Sequence, residues 1–492
     1  MIDAKTKIHD RFSIEFKMSF LTRRKLRKNK FSVYMWIFMP NSLDINRATY
    51  PKAQFYKDVK SYIRLLTPKF LMREIAGGEA LPLKSLKRIF EQVSRTPTRT
   101  LISEYEYQIK MFSAIVKSSF RDESNYLISQ DQVRSEEGTH KDDVNYLCSQ
   151  YVSNAKTILA SYRDLWKIVN VPSVPQVVRD TFFYADDFIS SVARRRTLDV
   201  LQYIESHSDI VSSETHQALR TFITEEMKYR HGAGYGNITK GDDDGNRNLV
   251  FRHGILKKYI ESDLFLEVPK KRDGVVAEQL MYSIAAGLAM IFATVVSFFF
   301  QKTYGNFTVP LFIALVVSYM LKDRIKDLMR YYFAHRIGSR YFDNKADIST
   351  KGHKIGWLKE GVDFIPDSQV PQRVREIRYG NNQYKLENRI ADEKVLLYRK
   401  SVLIDRKRMS KDNDYEVKGI NDIIRLQVNS FLHKMDNPDI SMLNMGEDGK
   451  LENVTCNKVY YMNIVLQTMS EYKRFRIALT RNGIDSIEEI FY

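Results

Sequence analysis

Cysteine is nearly absent from this chain of 492 residues: Cys148 and Cys456 are the only two. That excludes a disulfide framework as the basis of the fold and suits a reducing compartment. Metal patterns are missing too, since two distant cysteines and nine scattered histidines provide no zinc spacing. No Gly-x-Ser-x-Gly elbow of a serine hydrolase occurs. The opening residues, MIDAKTKIHDRF, lack the apolar core of a cleavable signal.

Charge is missing from two long runs. Leu280–Phe300 is 21 residues without a charged side chain, and Phe307–Leu321 adds 15 more. A hydrocarbon core of roughly 30 Å takes about 20 helical residues, so the pair predicts a transmembrane helical hairpin over 280–321. Ala285, Ala286, Gly287, Ala289 and Ala293 would let a second helix approach closely, and Pro310 falls in a first turn, where its missing N–H costs little. No ionisable group lies inside either run, which argues against a monomeric transporter or pump.

Flanking charge is one-sided. Arg252, Lys257, Lys258, Lys270, Lys271 and Arg272 precede the first run; Lys322, Arg324, Lys326, Arg330, Arg336 and Arg340 follow the second; the connection has only Lys302. The positive-inside rule therefore predicts an integral membrane protein with both termini cytoplasmic. The net charge of +17 fits attraction to anionic lipid headgroups and leaves nucleic acid open as a partner.

At the N-terminus Phe12, Ile14, Phe16, Met18 and Phe20 alternate with polar residues, the period of a half-buried strand. Phe31–Met39 is continuously apolar and reads as a second strand. The two predict a β-hairpin joined by a loop with Arg23, Arg24, Lys25, Arg27, Lys28 and Lys30. Two strands alone are marginal in water, so the hairpin is expected to dock on strands from the C-terminus.

Helical spacing then runs from Pro51 through Phe55, Val59, Ile63 and Leu66, and continues over Leu83–Val93, Ile102–Phe120, Val144–Val169, Val177–Ser206 and Glu214–Arg230. Strand-like composition returns after Lys345, with turn pairs at Asp448-Gly449 and Asn482-Gly483. The expected domains are a mostly helical 1–245 with its N-terminal β-hairpin, a basic juxtamembrane 246–279, the hairpin 280–321, a basic amphipathic helix 322–344 and a β-rich 345–492.

Three constellations bear on chemistry. Arg-His-Gly occurs at Arg230–Gly232 and again at Arg252–Gly254. Each copy resembles the opening of the histidine phosphatase signature, in which His takes up a phosphoryl group and Arg steadies its oxygens. The resemblance implies a membrane-tethered enzyme on a phosphorylated or nucleotide substrate, tested at His231 and His253. That motif follows a buried strand, whereas Arg230 follows a charged helix, and solvated loop ends are the better account. The stretch HGAGYGNITKGDDDGNRN after Arg230 fails both the Walker and the dinucleotide spacing. Asp242, Asp243 and Asp244 are consecutive, unlike the alternate ligands of a calcium loop.

The fold class read from the sequence is thus an α+β membrane protein: a helical N-terminal domain with a β-hairpin, a two-helix transmembrane hairpin and a mainly antiparallel C-terminal β domain. No catalytic, cofactor or metal residue is assigned. Contacts to an anionic surface are assigned to Arg23, Arg24, Lys25, Arg27, Lys28, Lys30, Lys270, Lys271, Arg272, Lys322, Arg324 and Lys326. The expected function is a membrane-anchored, cytoplasm-facing interaction or scaffold protein that forms a homo-oligomer or binds a cytoplasmic partner. The alternatives are a pore-forming effector gated by its cytoplasmic domains and the tethered enzyme.

Overall fold

Alternation at the N-terminus produces strands, but they part company. The computed structural model describes residues 2–129, 140–206, 212–306, 308–338, 342–380, 392–411, 414–447, 449–469 and 471–491. The chain begins with β1 (Ile2–Asp10), β2 (Ser13–Leu21), β3 (Lys28–Pro40), α1 (Lys52–Asp58) and β4 (Val59–Leu65). Helices follow: α2 (Met72–Ala76), α3 (Leu81–Arg95), α4 (Arg99–Ser129), α5 (His140–Asp164), α6 (Trp166–Val169), α7 (Gln176–Ser206), α8 (Ser213–Gly232) and α9 (Asp243–Glu261). Next come β5 (Lys270–Arg272), α10 (Val275–Tyr304), α11 (Val309–Gly338), β6 (Asn344–Thr350), β7 (His353–Ile365), α12 (Gln372–Tyr379) and β8 (Glu393–Asp405). The chain ends with α13 (Arg406–Ser410), β9 (Gly419–Gln427), α14 (Asn429–Leu432), β10 (Asp439–Met445), β11 (Leu451–Asn457), β12 (Tyr460–Gln467), β13 (Tyr472–Thr480) and β14 (Gly483–Ile490).

These elements divide into a sheet unit, Met1–Arg64 with Leu266–Asp414 and Lys418–Tyr492, and a helical unit, Leu65–Phe265 with Tyr415–Val417. The sheet unit holds an eight-stranded sheet, β14-β13-β12-β3-β8-β7-β6-β5, a four-stranded sheet, β1-β2-β9-β4, and the ribbon β10-β11. The two larger sheets meet through Phe16 against Phe475 (ring centroids 6.2 Å apart) and Phe20 against Phe31 (4.8 Å). Tyr34–Phe38 of β3 pair with β12 on one side and, with the rest of the strand, with β8 on the other. An apolar run buried on both faces is what such a central position demands.

In the helical unit, Tyr105, Ile109, Phe112, Val116 and Phe120 recur every three or four residues along α4 and are all buried. Phe112 stacks on Tyr162, and Tyr162 on Phe182 at 4.8 Å. Tyr162 satisfies its buried hydroxyl by donating to the Phe182 carbonyl at 3.0 Å. Tyr415, from the short returning segment, does the same toward Gln108 Oε1 at 2.9 Å.

The fold class needs correction at three points. First, the N-terminal β-hairpin does not form: β2 pairs with β1 and β9, while β3 pairs with β8 and β12. Both strands belong with the C-terminal strands and not with the helices. Second, the helix from Pro51 stops at Asp58, and β4 takes over; Val59, Ile63 and Leu65 are buried at period two, a pattern that the helical spacing masked.

Third, the two-helix transmembrane hairpin is not borne out. Among the described residues only one helix, over Glu278–Tyr304, is long and apolar enough to cross a membrane. The second run is the first half of α11, which continues unbroken into Lys322, Arg324 and Lys326, so no separate amphipathic helix starts at 322. Phe307, Arg340 and Asp448 lie outside the described residues.

Candidate functional site

α10 and α11 leave and rejoin one sheet edge. β5 leads into α10 and α11 leads into β6, with Lys270 opposite Ala346 and Arg272 opposite Asn344. Gly274 makes the sharp entry to α10 at φ 76°, a left-handed backbone open to glycine at little cost. Ala285, Ala289 and Ala314 are buried, and Ser318 Oγ donates to the Ala293 carbonyl at 3.4 Å. Nearer the root, Arg330 lies over the Tyr282 ring at 5.4 Å. This antiparallel register puts Lys322 beside Ala289, so charges flank the root half of the apolar run in α10. The uncharged length that the helices share is about 12 residues, or about 18 Å, short of the roughly 30 Å hydrocarbon core. That is the physical reason the paired spans fail.

The outward side of α10 stays apolar. Leu280, Ile284, Leu288, Ile291, Val295 and Phe298 are all exposed and recur every three or four residues, forming one stripe along the helix. A core helix would bury such a stripe.

The assigned basic residues fall into two groups. Lys270, Lys271 and Arg272, at the root of α10, form the first group with Lys322, Arg324 and Lys326, midway along α11. Lys270 pairs with the buried Glu360 at 2.7 Å, Arg272 with Glu278 at 2.9 Å, and Lys326 with Asp323 at 3.3 Å. Arg23, Arg24, Lys25, Arg27, Lys28 and Lys30 are all exposed at the opposite end of the large sheet. β6 runs between the two levels, about 20 Å for its length.

The sheet end gathers basic residues that sequence reasoning missed. The Arg406 amide donates to the Arg27 carbonyl at 2.9 Å, and its guanidinium to the Arg24 carbonyl at 2.5 Å. Arg408 reaches the Lys354 carbonyl at 3.4 Å, and Lys407 is exposed beside them. The only sequence signal was the triplet Arg406-Lys407-Arg408 directly after a strand; that it meets the β2–β3 loop follows from the β3–β8 register, Lys28 opposite Asp405.

Both Arg-His-Gly triplets find a structural role. Arg230 is buried and donates to Asp187 Oδ1 at 3.0 Å, to the Asp187 carbonyl and to Ser190. Arg252 donates to Asp187 Oδ2 at 2.7 Å. The two guanidiniums thus grip one carboxylate of α7, which corrects the solvated reading for Arg230 and occupies the groups that a phosphoryl acceptor would need. Next to it, Asp186 accepts from Arg163, Tyr229 and Tyr235. His231 is exposed. Asp242 caps α9, accepting from the Gly245 amide at 2.9 Å; among the described residues no acidic, His or Cys cluster could hold a metal.

His253 stacks on Phe188 at 6.0 Å with Ser191 Oγ 3.3 Å from its Nδ1. Burial, then Arg195, Lys117 and Lys257, hold its pKa below the ordinary 6.5. Below that ordinary value the unfolded chain takes up a proton that the folded imidazole still refuses, so stability falls as the pH drops. The urea midpoint of the helical unit, followed by Trp166 fluorescence, should therefore decrease from pH 7 to pH 5, and His253→Gln should flatten the decrease. An unchanged slope in the variant would remove His253 from the account.

A buried polar seam joins the two larger sheets. Lys400 on β8 donates to Asp422 on β9 at 2.6 Å and to Ser61 on β4 at 2.5 Å, with both ionic side chains fully buried. Burial pushes the Asp422 carboxyl up against the pull of Lys400. Opposite Lys400 on β7, Glu360 accepts from Tyr398 at 3.0 Å and from Asn344 at 3.2 Å. Enclosed on both sides, this seam holds the sheets in register.

Comparison with known proteins gives no match: no family model, curated protein or solved structure is similar to this chain.

Proposed function

We propose that this chain is a membrane-attached interaction protein that α10 holds to the bilayer, with both termini on the cytoplasmic side. The observation that carries the reading is the exposed stripe Leu280–Phe298 on a 27-residue apolar stretch of helix. Burying a large apolar side chain contributes about 1.5–3 kcal/mol, so six of them favour lipid over water strongly. A signal peptide would lie near the N-terminus, far from residue 278. Charge supports the orientation, since Lys302, in the last turn of α10, is the one basic residue between Leu280 and Leu321. Sheet pairing supports a shared side for the termini: β3 lies between β8 and β12, and β14 closes the same sheet.

Lys322, Arg324 and Lys326, midway along α11, stand where headgroup phosphates would be, each worth about 1 kcal/mol near an anionic surface. The rest of the sheet unit and the helical unit then serve as binding surfaces.

The test is extraction. Full-length protein should remain with membranes at alkaline pH, whereas a variant with Leu280, Ile284, Leu288, Ile291, Val295 and Phe298 all changed to Ser should be released. Release of the unaltered protein would end the membrane reading. In a background without Cys148 and Cys456, Thr303→Cys should stay protected from an impermeant thiol reagent on both sides, which places the end of α10 within the bilayer; labelling from outside intact cells would overturn this one-sided insertion.

A further inference from the structure

Among the described residues the ribbon β10-β11 pairs with no other strand, and every residue of β10 is exposed. Its register sets Met445 opposite Leu451 and Leu443 opposite Asn453, so Leu443, Met445 and Leu451 share one face with exposures of 72%, 66% and 72%. Asp439 lies on the same face, and Met442 and Val454 make the other face apolar too. A two-stranded ribbon is marginal in water by itself, and this one leaves both faces uncovered.

Charge decides what covers it. Residues 439–457 carry Asp439, Glu447, Asp448 and Glu452 against the single Lys450, an acidic arm on a chain of net charge +17. Anionic lipid and nucleic acid would repel it, as would another ribbon. The complementary surface is the basic sheet end, where the loop that carries Arg23, Arg24 and Lys25 also exposes Leu26 (47%) and follows Leu21 (42%), and where Arg406, next to Lys407 and Arg408, bonds to that loop. The chain cannot reach its own basic end. The ribbon springs from the β12 terminus near Tyr460, the end of the sheet that holds Phe38, whereas the basic loop adjoins Lys28 at the other end of β3.

We propose that the β10-β11 ribbon of one copy docks on the basic sheet end of a second copy, head to tail. Leu443, Met445 and Leu451 meet Leu21 and Leu26, and the ribbon carboxylates meet Arg23–Lys25 and Arg406–Arg408. A heterologous contact of this kind builds a ring or an open chain. It is independent of the membrane reading.

The experiment uses full-length protein in nonionic detergent, with mass measured over a concentration series. Wild type should associate, more weakly at high salt. Leu443→Ser/Leu451→Ser and, separately, Arg23→Glu/Arg24→Glu/Lys25→Glu should each raise the apparent Kd at least tenfold. Both sets of side chains are solvent-exposed, and circular dichroism checks that each variant is folded. Mixing the two variants should restore a dimer and nothing larger, because each still has one intact surface. Adding Asp439→Lys and, in the ribbon turn, Glu447→Lys to the Arg-to-Glu variant should restore association. A monomeric wild type at every concentration, association indifferent to either variant, or a mixture that stays monomeric would each overturn the proposal.

Discussion

Lys400→Met should lower the stability of the sheet unit by about 3–5 kcal/mol, the usual cost of removing one partner from a buried ion pair. Asp422 is left without its ammonium between two sheets, and Ser61 loses its donor. Asp422→Asn should cost a similar amount by stranding Lys400. The double variant Lys400→Met/Asp422→Leu separates pairing from packing, because an apolar pair of similar volume is often neutral or stabilising by about 1–4 kcal/mol. Trp166→Phe leaves Trp36 and Trp357 as reporters in the sheet unit, so guanidinium unfolding followed by fluorescence isolates it. A single-variant loss below about 1 kcal/mol, or a double variant as unstable as the singles, would show that the seam contributes little.

The seam was half legible. Each of β8 and β9 is a single apolar run with inward charge, KVLLYRKSVLI and INDIIRL, and a charge inside such a run needs a counter-charge from elsewhere. Which strand supplies it depends on sheet packing, and residues 400 and 422 sit in different sheets. The same limit governs the N-terminus. Period-two alternation identified β2 and the apolar run identified β3, but pairing is non-local. A basic nine-residue connection looks the same whether it turns a hairpin or carries the chain from one sheet to another.

The helices were the most legible part, because their spacing is written within each segment; α3, α4, α7 and α8 lie where the periodicity puts them. The membrane segment shows the opposite case. Hydropathy saw two uncharged runs but not their register, and it is the Ser318–Ala293 contact that brings Lys322 alongside the apolar half of α10. The basic sheet end needed residues 23–30 and 406–408 brought together across the β3–β8 pairing.

The two Arg-His-Gly triplets should respond very differently to substitution, although their sequences are identical. Asp187→Ala leaves Arg230, 4% exposed, as a buried guanidinium without its carboxylate, and should destabilise the helical unit by about 3–5 kcal/mol. Arg230→Met should come close to that, since it leaves Asp187 with the half-exposed Arg252 alone and removes the hydrogen bond to Ser190. Arg252 is about half exposed at the same carboxylate, so water compensates for much of what it loses, and Arg252→Ala should cost about 1 kcal/mol or less. His231→Ala should cost almost nothing, because its side chain is in solvent. Urea unfolding followed by Trp166, which packs on Phe183 at 4.7 Å, reads the helical unit alone once Trp36 and Trp357 are changed to Phe. Equal losses at Arg230 and Arg252 would mean that the network is solvated throughout. A phosphatase activity abolished by His231→Ala with stability intact would return the triplets to catalysis.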